Sequence, residues 1–106
     1  TAIYLATGQD TACVAENSIG HYQIEPLEDE VKFRLTLPSL TVGTVGGGTR
    51  LLAQHQNLKL LGCDTGDDAS KKFAEIICAS ALCLEISLFS AIASHTFTKA
   101  HMKYGR

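Results

Sequence analysis

The sequence predicts an α+β fold in which buried long helices pack with a short antiparallel strand pair. Three observations carry that reading. Val31, Phe33, Leu35 and Leu37 alternate with Lys32, Arg34 and Thr36, the period of a half-buried strand. The acidic run Glu28-Asp29-Glu30 separates them from a shorter mixed stretch with Tyr22, Ile24 and Leu27 at strand spacing, so a hairpin is the simplest arrangement. Ile76 to Ala93 is apolar on nearly every face, the composition of a helix covered all round.

Taken in order, residues 1–9 read as the end of an apolar helix, punctuated by Gly8 and Asp10, with helical character resuming through Ala12, Val14 and Ala15. Asn17-Ser18-Ile19-Gly20 is a turn cluster. The first strand closes at Glu25-Pro26, and Pro38 ends the second or places it at an edge. Thr41 to Thr49 is a glycine-rich loop. Leu51, Leu52, His55, Leu58 and Leu61, with Leu60, then fall at helical spacing, and Gly62 stops that short helix in the C′ position. Asp64 to Asp68 is a loop whose last aspartates are candidate caps for a helix from Ala69 toward the C-terminus.

That last helix is long enough to raise a transmembrane reading. Glu85 lies at the centre of its apolar stretch with Ser80, Ser87 and Ser90 around it. Inserting a carboxylate there would cost about 2.5–3.5 kcal/mol. A helix buried in a larger protein is the favoured expectation.

The composition excludes more than it names. Of 106 residues, 45% are apolar and 19% charged, against about 25% charged in an average soluble domain. One domain or part of one is the expected scale. The net charge of −2 argues against a dedicated nucleic-acid binder, which is usually strongly basic. Cys13, Cys63, Cys78 and Cys83 form no C-x-x-C pair and lie in or beside apolar runs, so reduced thiols in a reducing compartment are expected. His21, His55, His95 and His101 show no zinc spacing, and no metal site is expected. The chain opens on Thr1 in what reads as the middle of an element, which suggests a segment of something larger.

Chemistry concentrates in three places. Gly43-Thr44-Val45-Gly46-Gly47-Gly48-Thr49 strips side chains from the backbone, so its N–H groups can approach a ligand, and a helix N-terminus follows. It is not a P-loop, because Thr49-Arg50 stands where Lys and Ser/Thr belong, and G-x-G-x-x-G is absent. A tight strand-to-helix connection is the simpler use of such a loop, although three consecutive glycines exceed what a connection requires. In Gly8-Gln9-Asp10, the aspartate reads on spacing alone as a cap or a surface charge. Lys99, His101, Lys103 and Arg106 complement a helix C-terminus, which by itself accounts for them; His101 is also a candidate general acid.

Read in order, these pieces carry a resemblance. Ala2-Ile3-Tyr4-Leu5-Ala6-Thr7-Gly8-Gln9-Asp10, Val42-Gly43-Thr44-Val45-Gly46-Gly47-Gly48-Thr49, Leu60-Leu61-Gly62, Glu85-Ile86-Ser87-Leu88 and Lys99-Ala100-His101-Met102 resemble the 3-hydroxy-3-methylglutaryl-coenzyme A reductase family, in its NADPH-using class, over essentially the whole chain. The G-T-V-G-G-G-T loop is the specific element; the others gain weight in company. The resemblance implies an oxidoreductase that reduces 3-hydroxy-3-methylglutaryl-CoA to mevalonate and CoA with two NADPH, through a hemithioacetal and an aldehyde. Asp10 falls on the family's catalytic aspartate, which bonds a catalytic lysine and tunes a glutamate. His101 falls on its C-terminal histidine, which protonates the departing thiolate. Gly43, Thr44, Val45, Gly46, Gly47, Gly48 and Thr49 fall on the cofactor side of the site.

The resemblance further implies that residues 1–106 are the C-terminal part of the family's large domain, working as a homo-oligomer in the cytoplasm, with room for a membrane anchor upstream. The E-N-x-x-G glutamate, the D-K-K lysine and the D-A-M-G-M-N cofactor motif lie upstream in the family. Glu16-Asn17-Ser18-Ile19-Gly20 imitates the first but follows Asp10 too closely, and Lys71-Lys72 follows Ser70 rather than aspartate. This segment alone is therefore expected to be inactive. The chain departs from the family at Val14, Leu84 and His95-Thr96. The alternative is a non-catalytic interaction module whose glycine loop binds an anionic ligand or partner. Such a module has no reason to combine Asp10, the loop and His101.

Overall fold

The computed structural model describes residues 1–94 and 102–103. The order is α1 (Ala2–Thr7), a 3₁₀ turn (Thr11–Cys13), α2 (Val14–Asn17), β1 (His21–Pro26), β2 (Val31–Thr36), a second 3₁₀ turn (Gly47–Arg50), α3 (Leu52–Leu60) and α4 (Ala69–Ala93). The predicted α+β mixture with one antiparallel strand pair is present among these residues.

The hairpin follows from its alternating pattern. Tyr22 pairs with Leu35 and Ile24 with Phe33, while the Leu27 N–H donates to the Glu30 carbonyl at 2.7 Å to close the acidic turn. Pro26, which has no N–H to give, stands at the strand end where its loss is tolerated. Tyr22 stacks on Phe33 with ring centroids 5.8 Å apart, and Phe89 of α4 meets both rings at 4.7 and 5.7 Å. These separations are those of attractive aromatic pairs, and they attach the hairpin to α4.

The core lies elsewhere, where α1, α3 and the start of α4 meet. Tyr4, Leu58, Cys63, Phe73 and Ile77 are buried there, with Ile3, Val14, Leu40, Val42, Leu61 and Ile76 packed around them. Polar ties hold the same junction. Asn57 Nδ2 donates to the Ala6 carbonyl at 2.8 Å, satisfying one of the carbonyls that the end of α1 leaves open. The buried Asn17 side chain donates through Nδ2 to Tyr4 Oη at 2.6 Å and to the Thr41 carbonyl at 2.9 Å. Asn17→Ala removes both bonds at once and is expected to destabilise the fold by about 2 kcal/mol, read from urea unfolding.

The expectation that the long helices are buried is overturned. The apolar window of the 25-residue α4 is only 6% buried. Ala69, Phe73 and Ile77 are covered, whereas Leu84, Ile86, Leu88 and Ile92 are exposed. Length explains it: 25 residues of helix run about 37 Å, and the 6 residues of α1 and 9 of α3 reach only about 9 and 14 Å. Among the described residues, no other element is long enough to wrap α4. The helix is also long and apolar enough to cross a bilayer, a property it shares with the core helices of soluble proteins.

Two local expectations change as well. On α3 only Leu58 is fully buried; Leu51 and Leu52 are exposed and Leu61 is half-buried, so the packed face is narrower than the leucine spacing implies. The predicted stop is present: Gly62 takes φ 72°, and the Gly62 and Cys63 N–H groups close back on the Lys59 and Leu58 carbonyls at 2.9 and 2.8 Å. Asp68 occupies the N-cap position of α4, but its side chain makes no cap bond. With φ −103° and ψ 12° it lacks the extended backbone that aims a capping oxygen at the helix, and it lies 4.0 Å from Lys71 instead.

Candidate functional site

The site starts where α1 stops. Gly8 takes a left-handed conformation, φ 75° and ψ 24°, and the Gln9 N–H returns to the Tyr4 carbonyl at 2.9 Å. This turn brings Gly8 and Gln9 against the glycine loop. The two backbones touch: a Cβ on Gly8 would lie 2.3 Å from the Gly48 carbonyl carbon and 2.6 Å from the Thr49 nitrogen. A Cβ on Gly48 would in turn lie 2.9 Å from the Gly8 oxygen.

Gln9 makes the second attachment. Its Oε1 accepts from the Gly43 N–H at 2.9 Å and its Nε2 donates to the Gly43 carbonyl at 2.8 Å, with a longer bond to the Thr7 carbonyl at 3.3 Å. The loop between these anchors is open. Gly46 and Gly47 have φ of 82° and 53°, and Cβ atoms built on Gly43, Gly46 or Gly47 would meet nothing within 4 Å. Val45 is 85% exposed. Thr49 is buried and closes the loop, its N–H and its hydroxyl both donating to the Gly46 carbonyl. Among the described residues, no hydrogen bond occupies the N–H groups of Thr44, Val45 and Gly46.

Asp10 is the next residue after the clamp. Its Oδ1 accepts from the Ala12 N–H at 3.0 Å, which caps the 3₁₀ turn, and the carboxylate is exposed. The Cys13 thiol lies against Oδ2 at 3.6 Å. That thiol is held above its ordinary value, first by partial desolvation, then by the charge and hydrogen bond of Asp10, and also by Glu16. Each of these disfavours the thiolate. Asp10→Asn therefore lowers the Cys13 value and raises its rate of alkylation by iodoacetamide at pH 8, followed by mass spectrometry. The gain is partial, because desolvation remains. An unchanged rate would mean that the carboxylate does not govern this thiol.

The structure thus ties Gly8 and Gln9 to the ends of the Gly43–Gly48 segment, with Asp10 the next residue along the chain. His101 lies outside the described residues. Gln9 and Asn17 carry the long-range bonds of this region although neither reads as a site residue in the sequence. The only local hint was the position of Gln9 between Gly8 and Asp10. A cleft of ≈ 490 Å³ lies where α1, α2, the hairpin and α4 face one another; it is lined by Tyr4, Asn17, Tyr22, Leu84 and Glu85 among others and includes neither Asp10 nor the loop.

Open backbone amides at Thr44, Val45 and Gly46 are groups able to receive an anion, and the exposed Asp10 carboxylate is a group able to exchange a proton. The family model described as hydroxymethylglutaryl-coenzyme A reductase matches residues 1–106. The 3-hydroxy-3-methylglutaryl-coenzyme A reductase of Methanocaldococcus jannaschii is 48% identical over 99% of this chain and 26% of its own length. That of Aeropyrum pernix is 46% identical over 99% of this chain and 26% of its own length. Reductase 2 of Hevea brasiliensis is 42% identical over 100% of this chain and 54% of its own length. The chain belongs to the hydroxymethylglutaryl-coenzyme A reductase family. It spans about a quarter of the archaeal relatives it matches, 26% in each.

Proposed function

We propose that residues 1–106 form the C-terminal part of the large domain of a reductase that converts 3-hydroxy-3-methylglutaryl-CoA to mevalonate and CoA with two NADPH. The observation that carries this reading is the attachment of the glycine loop to Gly8-Gln9, immediately before Asp10. The residues fit an anionic dinucleotide: the loop presents uncovered amides, open space where a Cβ would stand at Gly43, Gly46 and Gly47, and a 3₁₀ turn and helix after it. When bound, NADPH supplies hydride.

The chain's own residues divide the remaining work. The N–H groups of Thr44, Val45 and Gly46 hold the charged part of the cofactor. Asp10 hydrogen-bonds a lysine supplied by the rest of the protein and tunes a glutamate there, so that a proton reaches the carbonyl oxygen as it is reduced. His101 gives a proton to the coenzyme A thiolate as the hemithioacetal breaks down to the aldehyde, a task suited to a side chain titrating near neutrality. The assembly is a homo-oligomer acting on the cytoplasmic side.

The test is the oxidation of NADPH, followed at 340 nm with 3-hydroxy-3-methylglutaryl-CoA, by the full-length protein beside the 106-residue chain. Turnover is expected from the full-length protein and none from the chain, because the lysine that stabilises the oxyanion is commonly the largest single contribution to the rate. A full-length protein that leaves NADPH unoxidised overturns the assignment.

A further inference from the structure

We infer that Gln9 is a positioning residue, which with Gly8 clamps both ends of the glycine loop and sets its distance from Asp10. The inference rests on the proposed reductase reading for the roles of the loop and of Asp10, but the clamp itself stands on geometry. Gln9 holds Gly43 with two hydrogen bonds at 2.9 and 2.8 Å, one accepted and one donated. A primary amide makes that pair with a single residue in the manner of a neighbouring strand, fixing both direction and distance. Its neighbour Gly8 lies backbone on backbone against Gly48. Two consecutive residues therefore grip the loop at both ends, and the residues between Gly43 and Gly48 project from the grip.

Alternative supports are few. The loop belongs to no strand; Val45 is exposed, and a Cβ built on Gly46 or Gly47 would meet nothing within 4 Å. Asn17 holds Thr41, two residues before the clamp, and Thr49 closes the loop on itself through Gly46. Among the described residues, only Gln9 and Gly8 tie the loop directly to the segment bearing Asp10. Asp10 follows Gln9 along a backbone locked into the cap of the 3₁₀ turn. A shift of the loop by about 1 Å relative to the reacting groups is enough to cost on the order of 10²-fold in rate.

The test uses Gln9→Met, which keeps the length and loses both bonds, and Gln9→Glu, which keeps the acceptor for the Gly43 N–H but sets a carboxylate oxygen against the Gly43 carbonyl. In the full-length protein both variants are expected to raise the KM for NADPH and lower kcat/KM by about tenfold or more, with KM for the thioester changed much less. A merely destabilising change lowers the amount of active protein, and so kcat, with KM for NADPH unmoved; that result overturns the inference. Amide hydrogen exchange at Gly43 is measured in the same variants. It is expected to accelerate in Gln9→Met, and unchanged protection there overturns the clamp. If the wild-type protein does not oxidise NADPH, the reductase reading fails, and exchange at Gly43 still decides whether the clamp exists.

Discussion

Gly8→Val is expected to lower the stability of the fold by about 4 kcal/mol, the largest structural effect of any single substitution at the site. Two independent costs add. The backbone at Gly8 sits at φ +75°, where an ordinary residue loses about 1–2 kcal/mol and a β-branched one more. The new Cβ would also fall 2.3 Å from the Gly48 carbonyl carbon, 2.4 Å from its oxygen and 2.6 Å from the Thr49 nitrogen. These are backbone atoms of a loop that Thr49 and Gln9 already hold, so nothing flexible can move aside. Overpacking of this kind costs about 1–3 kcal/mol, and small domains have only about 5–15 kcal/mol in hand. Gly47→Ala is the control. Gly47 is left-handed at φ +53° with open space beyond it, so only the conformational cost applies, about 1 kcal/mol. Urea unfolding of both variants separates the two costs. Equal losses would mean that the Gly8–Gly48 contact contributes nothing, and the interlock would have to be abandoned.

The contact could not have been read from the sequence, and the reason is separation. Gly8 and Gly48 are distant along the chain, as are Gln9 and Gly43, and periodicity reports only what neighbouring residues share. What alternation can carry was legible: the hairpin pairs Tyr22 with Leu35 and turns at the acidic run. A helix stop was legible for the same local reason, since Gly62 needs only its own φ and the preceding turn. The glycine loop was legible as bare backbone, but nothing in its seven residues says which segment it leans on.

The error over α4 has the opposite origin. Its apolar composition is a property of the residues, but burial is a property of what surrounds them. The inference from an all-round apolar helix to a covered one presumes elements long enough to cover it, and α1, α3 and the hairpin cover only its first turns and the neighbourhood of Phe89. The cap at Asp68 failed in a related way: residue type marked the position correctly, while the backbone angles there deny the side chain its usual bond. Asn17 illustrates the reverse case. It lies in what reads as a turn cluster, the expected place for a solvated asparagine, yet it is 4% exposed and holds Tyr4 and Thr41.

His101→Gln in the full-length protein is expected to reduce thioester reduction by about 10²–10⁴-fold, the range that a positioned acid supplies, while leaving NADPH affinity within about twofold. In the proposed reaction, breakdown of the hemithioacetal releases coenzyme A as a thiolate, and the proton it takes up must come from a group that is charged near neutral pH and can be recharged from solvent. Histidine, with an ordinary pKa of about 6.5, meets both conditions; glutamine keeps the size and a hydrogen-bond donor but has no proton to give. The residue lies outside the described part of the structure, so the assignment rests on the match of Lys99-Ala100-His101-Met102 to the family pattern and on this chemistry. The same reasoning predicts which step is spared. Supplied as a substrate, the free aldehyde intermediate has no thiolate to release, so its reduction should fall much less than that of the thioester in the same variant. Steady-state rates with the two substrates, taken beside NADPH titration, decide the matter. A variant that turns over the thioester at the wild-type rate removes His101 from the mechanism, and equal losses on thioester and aldehyde would assign it a role other than protonating the leaving group.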